Sequence, residues 1–123
     1  MLKFIAEQMA ALDIPYEFME WSTEVIYPYT IGEYLETPTL TEDGSEQYTF
    51  ILTSTTRGKW LELEEIKEKI KNHFPSSGGL CAEINGGDSI AVFYSHSTPV
   101  PTGEMDLKRM QYELKVLIWK GMN

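Results

Sequence analysis

The stretch Leu61-Glu62-Leu63-Glu64-Glu65-Ile66-Lys67-Glu68-Lys69-Ile70-Lys71-Asn72-His73-Phe74-Pro75 has a helical period. Leu63, Ile66, Ile70 and Phe74 recur at spacings of three and four and line one side of an α-helix, and the residues between them are charged or polar. Glu62, Glu64 and Glu65 sit in its first turns and Lys67, Lys69 and Lys71 toward its end, the order the helix macrodipole favours. Glu65 and Lys69 are spaced for an ion pair worth roughly 0.3 kcal/mol. Pro75, followed by Ser76-Ser77-Gly78-Gly79, stops the helix. A one-sided helix needs an apolar surface to cover, and the segments on both sides supply one.

Downstream, two strands, Leu80 to Asn85 and Ser89 to Ser95, flank Asn85-Gly86-Gly87-Asp88, a hairpin signal because these residues tolerate positive φ. A Pro-rich connection, Ser97 to Glu104, leads to a long final strand. There Met110, Tyr112, Leu114, Val116 and Ile118 face one way and Arg109, Gln111, Glu113 and Lys115 the other. Upstream, Gln47 to Thr56 alternates, and Thr41-Glu42-Asp43-Gly44-Ser45 reads as the turn of a hairpin with a strand ending near Leu40. Tyr16 to Leu40 is rich in aromatic and β-branched residues, with breaks near Ser22-Thr23 and at Pro28, and predicts two strands. Leu2, Ile5, Ala6, Met9 and Leu12 predict a first helix, stopped at Asp13-Ile14-Pro15. The expected fold is α+β: an antiparallel β-sheet with two helices packed on one face, in the order α-β-β-(β)-α-β-β-β, as a single domain over residues 1–123.

The 123 residues suit one domain, and the apolar and charged fractions of 42% and 24% are those of a globular one. With 19 acidic against 10 basic side chains the formal charge is −9. Clustered Lys and Arg are what phosphate backbones and anionic membranes attract, so no specific nucleic-acid binding and no membrane partner are expected. The N-terminal residues lack a basic leader, which predicts no signal peptide and production in the cytosol.

Chemistry-bearing patterns are sparse. Cys81, the one cysteine, stands between Leu80 and Ala82 and reads as a small buried hydrophobe, with no disulfide or cysteine-based zinc site to make. His73 reads as a helix-end cap and His96 as a strand-end loop residue, although either beside a carboxylate could act as a general base. Glu42-Asp43-Gly44-Ser45-Glu46 reads as a solvated turn rather than a cation loop. No nucleophile elbow, P-loop or dinucleotide fingerprint occurs. The expectation is a non-enzymatic binding or assembly protein with no catalytic, cofactor-binding or metal-ligating residues and no cofactor.

The first half carries Tyr16, Phe18, Trp21, Tyr27, Tyr29 and Tyr34, more aromatics than one covered face of a short sheet can hide. Tyr and Trp combine apolar area with a hydrogen-bonding tip and suit protein–protein contacts. Tyr27, Tyr29, Tyr34 and Trp119 are the candidate protomer-interface residues.

The segments Ile14-Pro15-Tyr16-Glu17-Phe18-Met19-Glu20-Trp21, Tyr27-Pro28-Tyr29-Thr30-Ile31-Gly32-Glu33-Tyr34 and Phe50-Ile51-Leu52-Thr53-Ser54-Thr55-Thr56-Arg57-Gly58, with the Leu61–His73 helix and the final strand, resemble minor structural proteins of the head–tail region of long-tailed bacteriophages and prophages of Gram-positive bacteria. The order of elements is similar to that of the tail-terminator, or tail-completion, proteins. This resemblance implies a virion protein assembled in the host cytoplasm as a hexameric ring. The ring would cap the head-proximal end of the tail tube, with the tail-tube protein and the head connector or stopper protein as partners. Thr37 to Glu46 and Ser97 to Glu104 would then line the lumen or dock. The alternatives are another neck or minor capsid protein, a small-ligand or peptide-binding module using an aromatic sheet surface, and a hydrolase-like enzyme using His96 with a carboxylate.

Overall fold

The structure, a computed structural model, describes residues 1–37 and 44–121. Its elements are α1 (Leu2–Ala11), β1 (Tyr16–Phe18), β2 (Tyr29–Thr37), β3 (Glu46–Thr56), α2 (Trp60–His73), β4 (Leu80–Ile84), β5 (Asp88–Val100) and β6 (Lys108–Trp119). They form one α+β unit in the expected order. The six strands make a single sheet ordered β1-β2-β3-β6-β5-β4. Four of its pairings are antiparallel, and one departs from the expected antiparallel sheet: β1 runs parallel to β2, with Tyr16 beside Thr30 and Phe18 beside Gly32. The chain between them, residues 19–28, loops back without a helix.

Register decides which side chains are inside. All 11 residues of β3 pair with β6, Phe50 opposite Leu114 and Leu52 opposite Tyr112. The alternation read from the sequence holds: Met110, Tyr112, Leu114, Val116 and Ile118 are buried, and they meet Phe50, Leu52, Ile90 and Val92 on one face. Leu63, Ile66, Ile70 and Phe74 of α2 and Phe4, Ile5 and Met9 of α1 join the same core. Fully burying a residue such as Leu63 or Ile70 stabilises the fold by about 1.5–3 kcal/mol. In α1 the stripe is shifted from the expected one, for Leu2 and Ala6 face solvent and Phe4 turns inward.

Several polar groups in and around this core are paired across elements. Tyr112 Oη donates to the Leu63 carbonyl at 2.9 Å, tying β6 to α2, and Thr30 and Ser54 share a hydroxyl bond of 2.6 Å between β2 and β3. Glu62 Oε1 accepts from the Lys59 N–H at 2.9 Å and from Thr56 Oγ1 at 3.0 Å, which satisfies an end donor of α2 and anchors it to β3. Lys69 does not take Glu65 as its partner; its ammonium donates to the Leu12 carbonyl at the end of α1, at 3.4 Å. His73 is a bridge rather than a cap: its Nε2 lies 2.6 Å from Gln8 Oε1 on α1.

Three further expectations change. Cys81 is exposed, because Leu80, Ala82 and Ile84 take the core side of β4 and the period of two sends Cys81 and Glu83 outward. The segment read as a Pro-rich loop is largely strand, since β5 continues through Pro99 to Val100, pairing with Met110 and Arg109. Proline is tolerated there because β4 covers β5 only as far as Val92 and leaves the outer flank open. His96 therefore lies within a strand, beside a bulge between Tyr94 and His96. The β4–β5 turn is as expected, with positive φ at Asn85, Gly86 and Gly87. Of the Thr41–Ser45 turn and its acidic cluster, residues 41–43 lie outside the described residues, as does the strand end near Leu40; Gly44 has the expected positive φ of 75°.

Two pairs of substitutions test this packing. Ile66→Asp and Leu114→Asp each bury a carboxylate without a partner, and each is expected to cost several kcal/mol, read as loss of the cooperative thermal melt. Near Gly32 the two changes should have opposite signs. A Cβ there would stand 2.5 Å from Tyr16 Oη and 2.8 Å from Phe50 Cε1, so Gly32→Ala should destabilise by about 1–3 kcal/mol. The Tyr16 hydroxyl is buried without a hydrogen-bond partner, and burial pushes its pKa up to about 12. Tyr16→Phe deletes that cost and should leave the melting temperature equal or higher.

Candidate functional site

The strand register brings three loops to one end of the sheet: residues 19–28 before β2, residues 57–59 between β3 and α2, and residues 101–107 between β5 and β6. Glu17 organises the first by accepting from the Ser22 backbone and hydroxyl, bonds that hold its carboxyl below its usual pKa. Trp21 Nε1 donates to the Glu24 carbonyl at 3.2 Å, and the Trp21 ring packs on Tyr29, which packs on Tyr27. In the third loop the Thr102 hydroxyl donates to the Leu107 carbonyl at 2.8 Å and accepts from the Glu104 N–H at 3.2 Å.

Arg57 joins all three. Its Nε lies 3.3 Å from Tyr27 Oη and its guanidinium carbon 5.8 Å from the Tyr27 ring centre, while Nη1 meets Asp106 at 2.8 Å and Nη2 meets Glu104 at 3.5 Å. The Tyr27 and Asp106 bonds raise the Arg57 pKa further, and Arg57 holds the Asp106 carboxyl below the usual aspartate range. Leu2, Met19, Tyr34 and Leu35 are exposed, and six further exposed large apolar residues lie on these loops or beside them: Val25, Ile26 and Tyr27 on the first loop, Trp60 and Leu61 at the start of α2, and Met105, fully exposed, on the third. Glu24, Glu104, Asp106 and Lys59 stand beside them as a charged rim. Apolar anchors inside a polar border are the pattern that protein contacts use.

The four sequence candidates do not share one patch. Tyr27 and Tyr29 belong to the apolar end. Tyr34 lies farther along β2, where it stacks on Phe18 and Phe50 and meets Tyr48 edge-on while staying 40% exposed. Trp119 is half-buried at the other end of β6, opposite Ser89, on the sheet face that the helices leave open. Arg57, Val25, Ile26, Trp60, Leu61 and Met105 were not singled out in the sequence. Val25-Ile26, an apolar pair next to Glu24 and just before Tyr27-Pro28, was the available signal.

On the open face, His96 Nε2 lies 3.3 Å from Glu113 and His96 Nδ1 3.0 Å from Ser95 Oγ. The structure thus sets His96 beside a carboxylate and a hydroxyl, at the edge of a groove of about 220 Å³ lined by Thr37, Gln47, Thr49, Ser95, Glu113 and Lys115. The imidazole and carboxylate are open to water, which makes this a screened surface pair. Among the described residues, no group of three or more His, Cys, Asp or Glu stands close enough to hold a metal ion. No described helix is long and apolar enough to cross a membrane.

Arg57→Ala should free the loops at 19–28 and 101–107, seen as faster amide exchange in both, with the melting temperature little changed because the ion pairs are solvent-exposed. The same loosening should follow acidification. Because the folded pKa of Asp106 is depressed, its contribution is fully present above the ordinary aspartate range and is lost as pH falls through the lowered value.

No protein-family model matches the chain, and no curated protein matches it.

Proposed function

We propose that this chain is a structural protein of the head–tail region of a long-tailed bacteriophage or prophage. In this reading it is a ring-forming tail terminator that caps the tail tube and meets the head connector. The phage setting rests on the resemblance of the Ile14–Trp21, Tyr27–Tyr34 and Phe50–Gly58 segments. The assembly role rests on one structural observation: the exposed Val25, Ile26, Tyr27, Trp60, Leu61 and Met105 stand on the loops and the helix start at one end of the sheet, where Arg57 ties the Tyr27 loop to the loop of Glu104 and Asp106. A closed ring uses heterologous contacts, in which one face of a protomer meets a different face of the next. An apolar end on one side of a small domain is a suitable half of such a contact.

The second reading, a small-ligand or peptide-binding module, draws on the groove of the open sheet face. Its lining is mostly polar, with Tyr48 and Leu114 the apolar members, and includes none of the four aromatic candidates. The observed concentration of apolar side chains favours assembly over that reading.

Each copy carries a charge of −9, so self-association has to overcome repulsion that salt screens within about 10 Å at 0.1 M. Light scattering should show small species at low salt and low concentration. Closed rings, six-membered on the resemblance, should appear as either rises, and electron microscopy of purified tails should show density at the head-proximal end. Ile26→Asp and Met105→Asp should suppress the rings while leaving the monomer melt unchanged. A tight dimer under all conditions, or rings indifferent to both substitutions, would overturn the assignment.

A further inference from the structure

β1 is three residues long and covers only Thr30 to Gly32 of β2. Two backbone bonds fix the phase of the flank that continues beyond it. The Thr30 N–H donates to the Pro15 carbonyl at 3.0 Å, and the Gly32 carbonyl accepts from the Met19 N–H at 2.8 Å, both on the side away from β3. Backbone groups alternate along a strand in an antiparallel pair, so the N–H and C=O of Tyr34 and Glu36 point outward too. No bond from any described residue reaches them, and Glu33 to Thr37 are all exposed.

The opposite open flank, β5 beyond Val92, is guarded. Tyr94 spends its outward N–H on the Phe74 carbonyl and its C=O on Ser76 Oγ, each at 2.8 Å, and a bulge and Pro99 follow. β2 has neither proline nor bulge. It has instead an acid and an apolar side chain on each face: Glu33 with Leu35 on the open face, Tyr34 with Glu36 on the helix-covered one. Leu35 is 63% exposed. A second copy is a poor occupant, because pairing this edge with itself in either direction brings four glutamates into one short two-stranded ribbon with no cation among them. A strand carrying Lys or Arg turns those same charges into attraction.

We propose that the Glu33–Thr37 edge accepts an extended segment of a different protein, one that alternates basic and apolar residues, as an added strand of the sheet. The site is separate from the apolar end, and its occupant need not be a ring neighbour.

The probe is a blocked six-residue peptide alternating lysine and valine, followed by amide NMR. Controls are a serine–valine counterpart and a lysine–valine peptide interrupted by a central proline. The expected result is selective shift and protection of the Tyr34 and Glu36 amides. Binding should fall about tenfold or more in Glu36→Pro, which removes an outward N–H without touching the β2–β3 ladder. Glu33→Gln with Glu36→Gln should weaken the lysine peptide and not the serine one. Should Glu36→Pro fail to fold, protection of the wild-type amides decides alone. Equal binding of the proline-interrupted peptide would show plain electrostatic attraction and overturn the proposal, as would absence of protection. Equal binding of the serine peptide would remove the basic partner, and peptide-independent dimers abolished by Glu36→Pro would make the occupant a second copy. None of these outcomes bears on the ring test, which reads Ile26 and Met105.

Discussion

The antiparallel pairing of β3 with β6 is the constraint on which the other elements depend. It runs the full length of β3 and holds Phe50, Leu52, Tyr112 and Leu114 on one face. A slip of one residue would send that set to water and bring Arg109, Gln111, Glu113 and Lys115 against the helices. Apolar burial is not the only guard on register. The Tyr112 hydroxyl reaches the Leu63 carbonyl, Ser54 reaches Thr30, and Thr56 reaches Glu62. A slip of β6 against β3 would pull the Tyr112 hydroxyl off the Leu63 carbonyl and leave it buried and unpaired, at about 1–3 kcal/mol.

The same register places the surface. Because β2 begins opposite the end of β3, and β6 begins there as well, the loops flanking these strands converge on Arg57. A chain with nearly twice as many acids as bases puts one of its few cations where two carboxylates and a tyrosine ring meet. Arg57 thereby offsets part of the negative charge of Glu104 and Asp106, so the apolar side chains around it sit beside carboxylates that are partly neutralised.

What the sequence disclosed was local. The Leu63–Phe74 stripe, the alternation from Arg109 to Ile118 and the Asn85-Gly86-Gly87 turn each announce themselves within a dozen residues, and each is where it was expected. What it hid was relational. The parallel pairing of Tyr16–Phe18 depends on how a ten-residue loop returns, which no local pattern encodes. Pro99 signals a loop unless one knows that β4 has already ended, and Cys81 looks buried until the phase of Leu80 and Ile84 is known. The surplus aromatics did predict surface rings, but Tyr27 and Tyr29 lie at one end, Tyr34 in mid-strand and Trp119 at the far end. Arg57 was illegible because its partners, Tyr27, Glu104 and Asp106, are 30 to 49 positions away.

The segment that leaves α2 has a second role. By holding Tyr94 through Phe74 and Ser76, the exit of the helix occupies the backbone of a strand that β4 is too short to cover. Fraying of the last turn of α2 would thus do more than loosen a helix end. It would bare a stretch of β5 to other chains while most of the fold stayed intact, so clumping under mild stress would begin from a nearly native molecule rather than from the unfolded one.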